Sequence, residues 1–395
     1  MISTIAKLDE KIEELIEQQR LSGIANYWEP QEYTAKDHWR GIPRHSKVLD
    51  MIPFTVEPEI PMWAAILNFS VKEFYSIPRV YLENTLKMMI YRAEKFQDFT
   101  CIEKTIPIWL GAPFEESLFG SKQVLVEGAS PWLDREPLIK KQEDLDRLEF
   151  PDFYKSGLMP TAHYFYEVIG ELTEGKYTVV FPEWGRGPFG VAFHLRGFDN
   201  LLIDMLVNPD FVHRLMRFVT DARKHWVSER AKFLGRKIDK GNLYNDEVNC
   251  PTLSPEQYKE FVLPYEIELC NFHGGIVYWH SCGDIANLAE GISRIPYLEM
   301  LHIGPWTDMK EVRRVFGERV AYEKCLMPTE DVQMATEEEM EKKLEEIRGV
   351  LDGTAYTVRA DGLQIVSSVD RDIEKVIKWV TIARKKLKIE KGERG

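Results

Sequence analysis

Apolar positions recur along this chain in two rhythms, and the switching between them is the first guide to its fold. Ile5, Leu8, Ile12 and Leu15 fall at helical spacing with Lys and Glu between them, which predicts an amphipathic N-terminal helix used for packing or dimerisation. Beyond it, short strand-like runs alternate with longer helical patterns. The runs are Met62–Leu67, Ile106–Leu110, Tyr177–Pro182, Asn242–Asp246, Ile276–His280, Leu298–Ile303, Val320–Glu323 and Gly362–Val366. Several helix starts are explicit. Asn208-Pro209-Asp210 opens a long helix, while Ser254-Pro255-Glu256-Gln257 and Thr336-x-x-Glu339 are capping boxes. Met340, Leu344 and Ile347 then recur on one helical face.

Strand–helix alternation with about eight strands predicts an α/β fold, a (β/α)8 TIM-type barrel with an N-terminal helical extension. The expected division is an extension over 1–54 and a barrel over 55–390. Residues 111–153, rich in Gly and Pro and poor in periodicity, read as an insertion after the second strand. Loops of this kind on a barrel's C-terminal face commonly help to build the active site.

The barrel gives the polar residues a meaning. Asp246 and Glu247 follow the fourth predicted strand, His280 ends the fifth, His302 ends the sixth, and Glu323 and Cys325 follow the seventh. All of them project at the C-terminal face, where barrel chemistry occurs. His280-Ser281-Cys282-Gly283-Asp284 is the densest of these segments. On an extended backbone residues i and i+2 share a side, so His280 and Cys282 can share one ion, and Gly283 permits a sharp turn. A lone His-x-Cys pair is more often a core histidine and an inert thiol. Cys325 from a second strand end changes that balance. Three protein ligands, one imidazole and two thiolates, are how a catalytic zinc is held with a position left open. Asp246 and Glu247 are candidate catalytic acids, to orient the histidine, complete the metal shell or donate a proton. Trp184, Arg186 and Glu323 are candidate substrate-binding residues, Arg186 as an anion partner within the Gly-rich stretch after strand three.

Composition narrows the class. At 395 residues with 44% hydrophobic and 29% charged residues, the chain has an ordinary globular make-up. A net charge of −13 leaves no basic stripe for a nucleic-acid backbone. No apolar run approaches the roughly 20 residues needed to span a bilayer, and the charged N-terminus does not read as a secretory signal, so a cytoplasmic location is expected. Five cysteines, odd in number and thinly spread, do not suggest a disulfide framework. Cys101, Cys250 and Cys270 lack companions and read as structural.

Two longer segments carry a resemblance. Gly187-Pro-Phe-Gly-Val-Ala-Phe-His-Leu-Arg-Gly197 with Leu201-Leu-Ile-Asp204 and Asn208-Pro-Asp-Phe-Val-His-Arg-Leu215 is one. Asp246 with Leu253-Ser-Pro-Glu-Gln-Tyr258 and Phe261-Val-Leu-Pro-Tyr265 is the other. Together they resemble the uroporphyrinogen decarboxylase superfamily over residues 55 to 385, which implies a (β/α)8 barrel with its pocket at the C-terminal end. The true decarboxylases carry Met-Arg-Gln-Ala-Gly-Arg after the first strand, with arginines for the substrate's carboxylates. The matching stretch here, Pro61-Met-Trp-Ala-Ala-Ile-Leu-Asn68, has none. A porphyrinogen would lose its main charge partners.

His280, Cys282 and Cys325 instead resemble the zinc ligands of the corrinoid-dependent methyltransferase branch. That resemblance implies a zinc-dependent methyltransferase moving a methyl group between a small methylated substrate or thiol and a separate corrinoid (cobalamin) protein. The chain has no Asp-x-His-x-x-Gly cobalamin motif of its own, so the corrinoid is expected on a partner. The alternatives are a decarboxylase-like lyase acting on a non-porphyrin substrate and a non-catalytic ligand-binding barrel.

Overall fold

A computed structural model describes residues 4–30, 41–134 and 136–389. Part of the expected N-terminal extension, 1–3 and 31–40, and the C-terminal end of the expected barrel lie outside them. Numbering only the barrel strands, these are β1 Phe54–Pro58, β2 Thr105–Pro107, β3 Thr178–Val180, β4 Gly241–Tyr244, β5 Ile276–His280, β6 Leu298–Ile303, β7 Ala321–Cys325 and β8 Tyr356–Leu363. Six form one parallel sheet in the order β1-β8-β7-β6-β5-β4, and β2 pairs with β3. The chain beyond β3 joins this pair to β4, where Tyr244 N donates to Gly185 O and Gly187 N to Tyr244 O, both at 2.9 Å. Phe99 N, donating to Phe54 O at 2.9 Å, joins the approach to β2 with β1. The result is a (β/α)8 barrel with an N-terminal helical extension.

The helices start where local chemistry directs. Ser254 and Thr336 each accept from the backbone N–H three residues on, while Gln257 and Glu339 return the bond, so both capping boxes form. The long helix Pro209–Leu234 begins directly after Asn208 and ends at Gly235 in the left-handed conformation. Helix Thr4–Ser22 buries Ile5, Ile12 and Leu15 against the barrel's outer helices. The segment after β2 is an irregular connection holding a short helix, Phe114–Ser117, and a two-strand hairpin, Gln123–Val124 with Trp132–Leu133.

Two strand expectations need correction. Met62–Leu67 belongs to a helix, Ile60–Leu67, with Pro61 in its first turn. A continuous apolar run has no period to separate a buried strand from a buried helix, and the actual first strand, Phe-Thr-Val-Glu-Pro, is short and mixed. The last strand lies earlier than Gly362–Val366, at Tyr356–Leu363. Its inward positions Arg359 and Asp361 are charged, and so disguise it.

The barrel interior is layered. Tyr278, Met300 and Ala321, level with one another across β5, β6 and β7, form a small apolar plug with Ile42, Tyr244 and Ala355 packed against it. Two residues further along the strands the inward positions become polar, with His280, His302 and Glu323 on the three strands. The main core lies outside the barrel, between strands and helices. There Trp379 is fully buried and meets Phe54 edge-on, with ring centroids 5.6 Å apart. Trp379→Ala is expected to cost about 3–5 kcal/mol by loss of apolar burial and creation of a cavity. Urea unfolding checks this, and a loss below 1 kcal/mol would contradict the packing described.

Candidate metal centre

The polar upper end of the barrel holds two groups of potential metal ligands. In one, donor atoms of Asp246, His280 and Cys282 all lie within 4.8 Å of one another; in the other, those of His302, Glu323 and Cys325 do. His280 Nε2 is 3.0 Å from Asp246 Oδ1 and 3.2 Å from Cys282 Sγ. The Cys282 backbone N–H donates to the same Asp246 oxygen at 3.2 Å. The structure thus brings His280 and Cys282 together with Asp246, and sets Cys325 in the neighbouring group. The two groups adjoin: the His280 and His302 rings are 4.1 Å apart by centroid. Tyr278 also bridges them, its hydroxyl donating to Glu323 Oε2 and lying 3.2 Å from His280 Nδ1.

Strand geometry explains why these side chains meet. Tyr244 is level with His280 across β4 and β5, and Glu323 is level with both His302 and Thr357. Cys325, two residues beyond Glu323, is level with Arg359 on β8. Parallel pairing with period-two alternation therefore stacks the donors of β5, β6 and β7 at adjoining heights.

The loop after β5 is held by its neighbours. His302 Nδ1 is 2.7 Å from Ser281 O. Thr307 Oγ1 donates to Gly283 O at 3.1 Å and accepts from Ile285 N–H at 3.2 Å. Cys250 N–H donates to Asp284 O at 2.8 Å from the other side. Lys324 Nζ, its pKa pushed down to about 8 by burial, donates to Gly304 O at 2.7 Å. A Cβ on Gly304 would lie 2.5 Å from Cys282 O, so the two loops touch backbone to backbone.

Electrostatics divide the acids. Burial alone would raise the Asp246 pKa, but the adjoining His280 imidazole, with Arg186 behind it, holds it well below the usual carboxylate range. Its side chain keeps 46% of its surface at the barrel mouth, so the burial effect is the weaker of the two. Glu247 points elsewhere. Its Oε1 accepts from Arg186 at 2.5 Å and lies 2.7 Å from His194 Nε2. Arg186 also sits 3.0 Å from Glu116 Oε1 and donates to Ala112 O at 3.3 Å, so its guanidinium is already occupied within the fold. Trp184 is buried in an aromatic cluster with Phe119 and Trp226, ring centroids 5.8 and 6.1 Å away. Glu323 is buried between Tyr278 and Arg359, with Arg359 Nη1 at 3.4 Å. Asp246 is therefore the expected acid placed beside His280 and Cys282, and Glu323 stands next to Cys325.

The family model for uroporphyrinogen decarboxylase matches residues 113–386, more than half of the chain. The chain belongs to the uroporphyrinogen decarboxylase family. Among solved structures, a methyltransferase from Methanosarcina mazei is similar in fold, with a TM-score of 0.62 and 14% identity. The match covers 85% of this chain and 94% of that one. No curated protein matches the chain by sequence.

Within this family member, some residues of the site were not singled out from the sequence. Tyr278 and Arg359 are inward neighbours, by strand periodicity, of His280 and Asp361, and counting back by two from His280 finds Tyr278. Glu116 and His194 were likewise not singled out, and their grouping with Arg186 and Glu247 assembles from three separate segments and leaves no local pattern. Glu57, Arg92, Arg359 and Asp361 form a third, with Arg92 Nη2 2.7 Å from Glu57 and Arg359 Nε 3.0 Å from Asp361.

Two outcomes follow from this geometry. An added Cβ at Gly283 would lie 2.4 Å from Asn249 Cβ, so Gly283→Ala must displace the loop bearing Cys282. It is expected to lower affinity for any ion held by His280 and Cys282 by about tenfold or more while the barrel stays folded, as read by chelator competition and circular dichroism; unchanged affinity would contradict the close packing. Glu116 is fully buried, and burial pushes its pKa up to about 8 despite Arg186. Its folded pKa exceeds the unfolded value, so its contribution is fully present below about pH 4.5 and is lost as pH rises through about 8. Glu116→Gln should therefore gain stability relative to the parent between pH 5 and 8, by on the order of a few kcal/mol. Parallel urea midpoints across that range would refute this.

Proposed function

We propose that this chain is a zinc-dependent methyltransferase that moves a methyl group between a small methylated substrate or thiol and a corrinoid carried by a separate protein. The observation that carries the reading is the meeting of Asp246, His280 and Cys282 at the barrel mouth, with Cys325 in the adjoining group. A donor set of imidazole, thiolates and carboxylate suits zinc. His280, Cys282 and Cys325 would hold the ion. When bound, zinc would keep a substrate thiol as its thiolate, or in the opposite direction take up charge on a departing heteroatom.

The chain's own residues have distinct tasks in this scheme. Asp246, ionised and at the mouth, faces Nε2, the nitrogen through which His280 would bind the ion, so it would stand beside the ion, and it fixes the Cys282 backbone. Tyr278 and Glu323 brace the opposite ring nitrogen of His280. The clamped loop from Ser281 to Ile285 keeps Cys282 in place without help from a ligand. The similarity in fold to a methyltransferase supports the same reading.

The family's named reaction fits less well. The stretch Pro61–Asn68 lacks the expected arginines, and Arg92, Arg186 and Arg359 near the barrel interior are each engaged by carboxylates of the chain. A carboxylate-rich substrate would have to displace those pairs.

Zinc analysis of the purified protein should give about one ion per chain. Cys282→Ala and Cys325→Ala should each lose the ion and reduce methyl transfer by about a hundredfold or more, measured spectroscopically with cobalamin against a panel of methyl ethers, methylamines and thiols. Full activity in metal-free protein would end the zinc mechanism.

A further inference from the structure

We propose that His302 is a further ligand of this metal ion, binding through Nε2 beside Cys325. The inference rests on the zinc reading and extends it to a residue outside the His-x-Cys…Cys set.

Position is the first ground. His302 is the penultimate residue of β6, between β5 with His280 and β7 with Glu323 and Cys325, and is paired in register with Glu323. A ring nitrogen of His302, a Glu323 oxygen and Cys325 Sγ all lie within 4.8 Å of one another. The His302 ring is also 4.1 Å from that of His280. It therefore stands between the two donor groups that a single ion would have to unite.

Tautomer is the second ground. Ser281 O can only accept, so His302 Nδ1, 2.7 Å away, carries the proton. In the neutral ring the lone pair then belongs to Nε2. A backbone carbonyl on the distal nitrogen is the usual support for a metal-binding histidine, because it fixes both ring orientation and tautomer.

The other buried donor of this group is less suited. Glu323 accepts from Tyr278 and faces Arg359 at 3.4 Å, so its charge is already compensated by the protein. His302 is 1% exposed, brings no charge, and would make a fourth protein donor without a buried carboxylate, so a substrate would enter by expansion to five-coordination or by displacing one of the four.

A purely structural role, bracing Ser281 O, makes a different forecast. His302→Asn places a side-chain N–H donor near the position of Nδ1 and removes Nε2. We expect the metal-free variant to melt like the parent, to bind zinc more than about a hundredfold more weakly, a larger loss than an outer partner causes, and, when loaded with cobalt(II), to show shifted visible bands. Parental zinc affinity with an unchanged cobalt(II) spectrum would reduce His302 to a brace and overturn the proposal, leaving the zinc reading intact. X-ray absorption on the zinc-loaded parent protein gives an answer that needs no variant. Scattering from two imidazoles supports His302 as a ligand, and one imidazole refutes it. A parent protein that takes up neither zinc nor cobalt(II) would instead overturn the zinc reading itself, and this inference with it.

Discussion

The lateral hydrogen-bond register between β5, β6, β7 and β8 is the constraint on which the rest depends. Parallel pairing fixes the height of every inward side chain relative to its neighbours, and a slip of one residue would turn His280, His302 and Glu323 out of the barrel together. The interior is therefore built as floors. Tyr278, Met300 and Ala321 make an apolar one, and the donors above them occupy the next. The apolar plug closes the barrel beneath the polar end and leaves the mouth as the direction of approach.

A polar floor inside a barrel has a cost, met by pairing charges rather than by solvation. Arg92 joins Glu57 and Asp98, and Arg359 joins Glu57, Glu323 and Asp361. Buried pairs of this kind seldom add net stability over apolar packing, yet removing one partner leaves an uncompensated charge. Their service here is positional. Glu323 is fixed by Arg359 on one side and Tyr278 on the other, and Tyr278 in turn meets His280. The orientation of His280 thus depends on charges that belong to the far side of the barrel.

Much of this was legible in the sequence, for physical reasons that vary by element. β5 and β6 read correctly to the residue, because each is a short, mostly apolar run bounded by Gly or Pro. Capping boxes announced their helices, since the motif is local and self-contained. β1 and β8 were displaced for opposite reasons. An apolar helix beside β1 imitated a strand, and β8 concealed itself by carrying Arg359 and Asp361 inward. His280, Cys282 and Asp246 could be placed from strand ends alone. The pairings of Arg186 with Glu116 and Glu247 could not, because they join residues about 60 to 70 positions apart through packing that no local rhythm encodes.

The backbone contact between Gly304 and Cys282 bears on how such a protein can diversify. The two rim loops after β5 and β6 are interlocked, so neither can lengthen without moving a potential ligand. Within the connection over 111–153, Glu115 and Glu116 are buried against the Arg186 segment, but the hairpin farther along is looser, with Val124, Val126 and Trp132 exposed. Insertions and exchanges can accumulate in that hairpin at less structural expense than in the rim loops. The potential ligands thus sit on interlocked rim loops while the more variable segment lies apart from them, a division that lets one change while the other keeps its geometry.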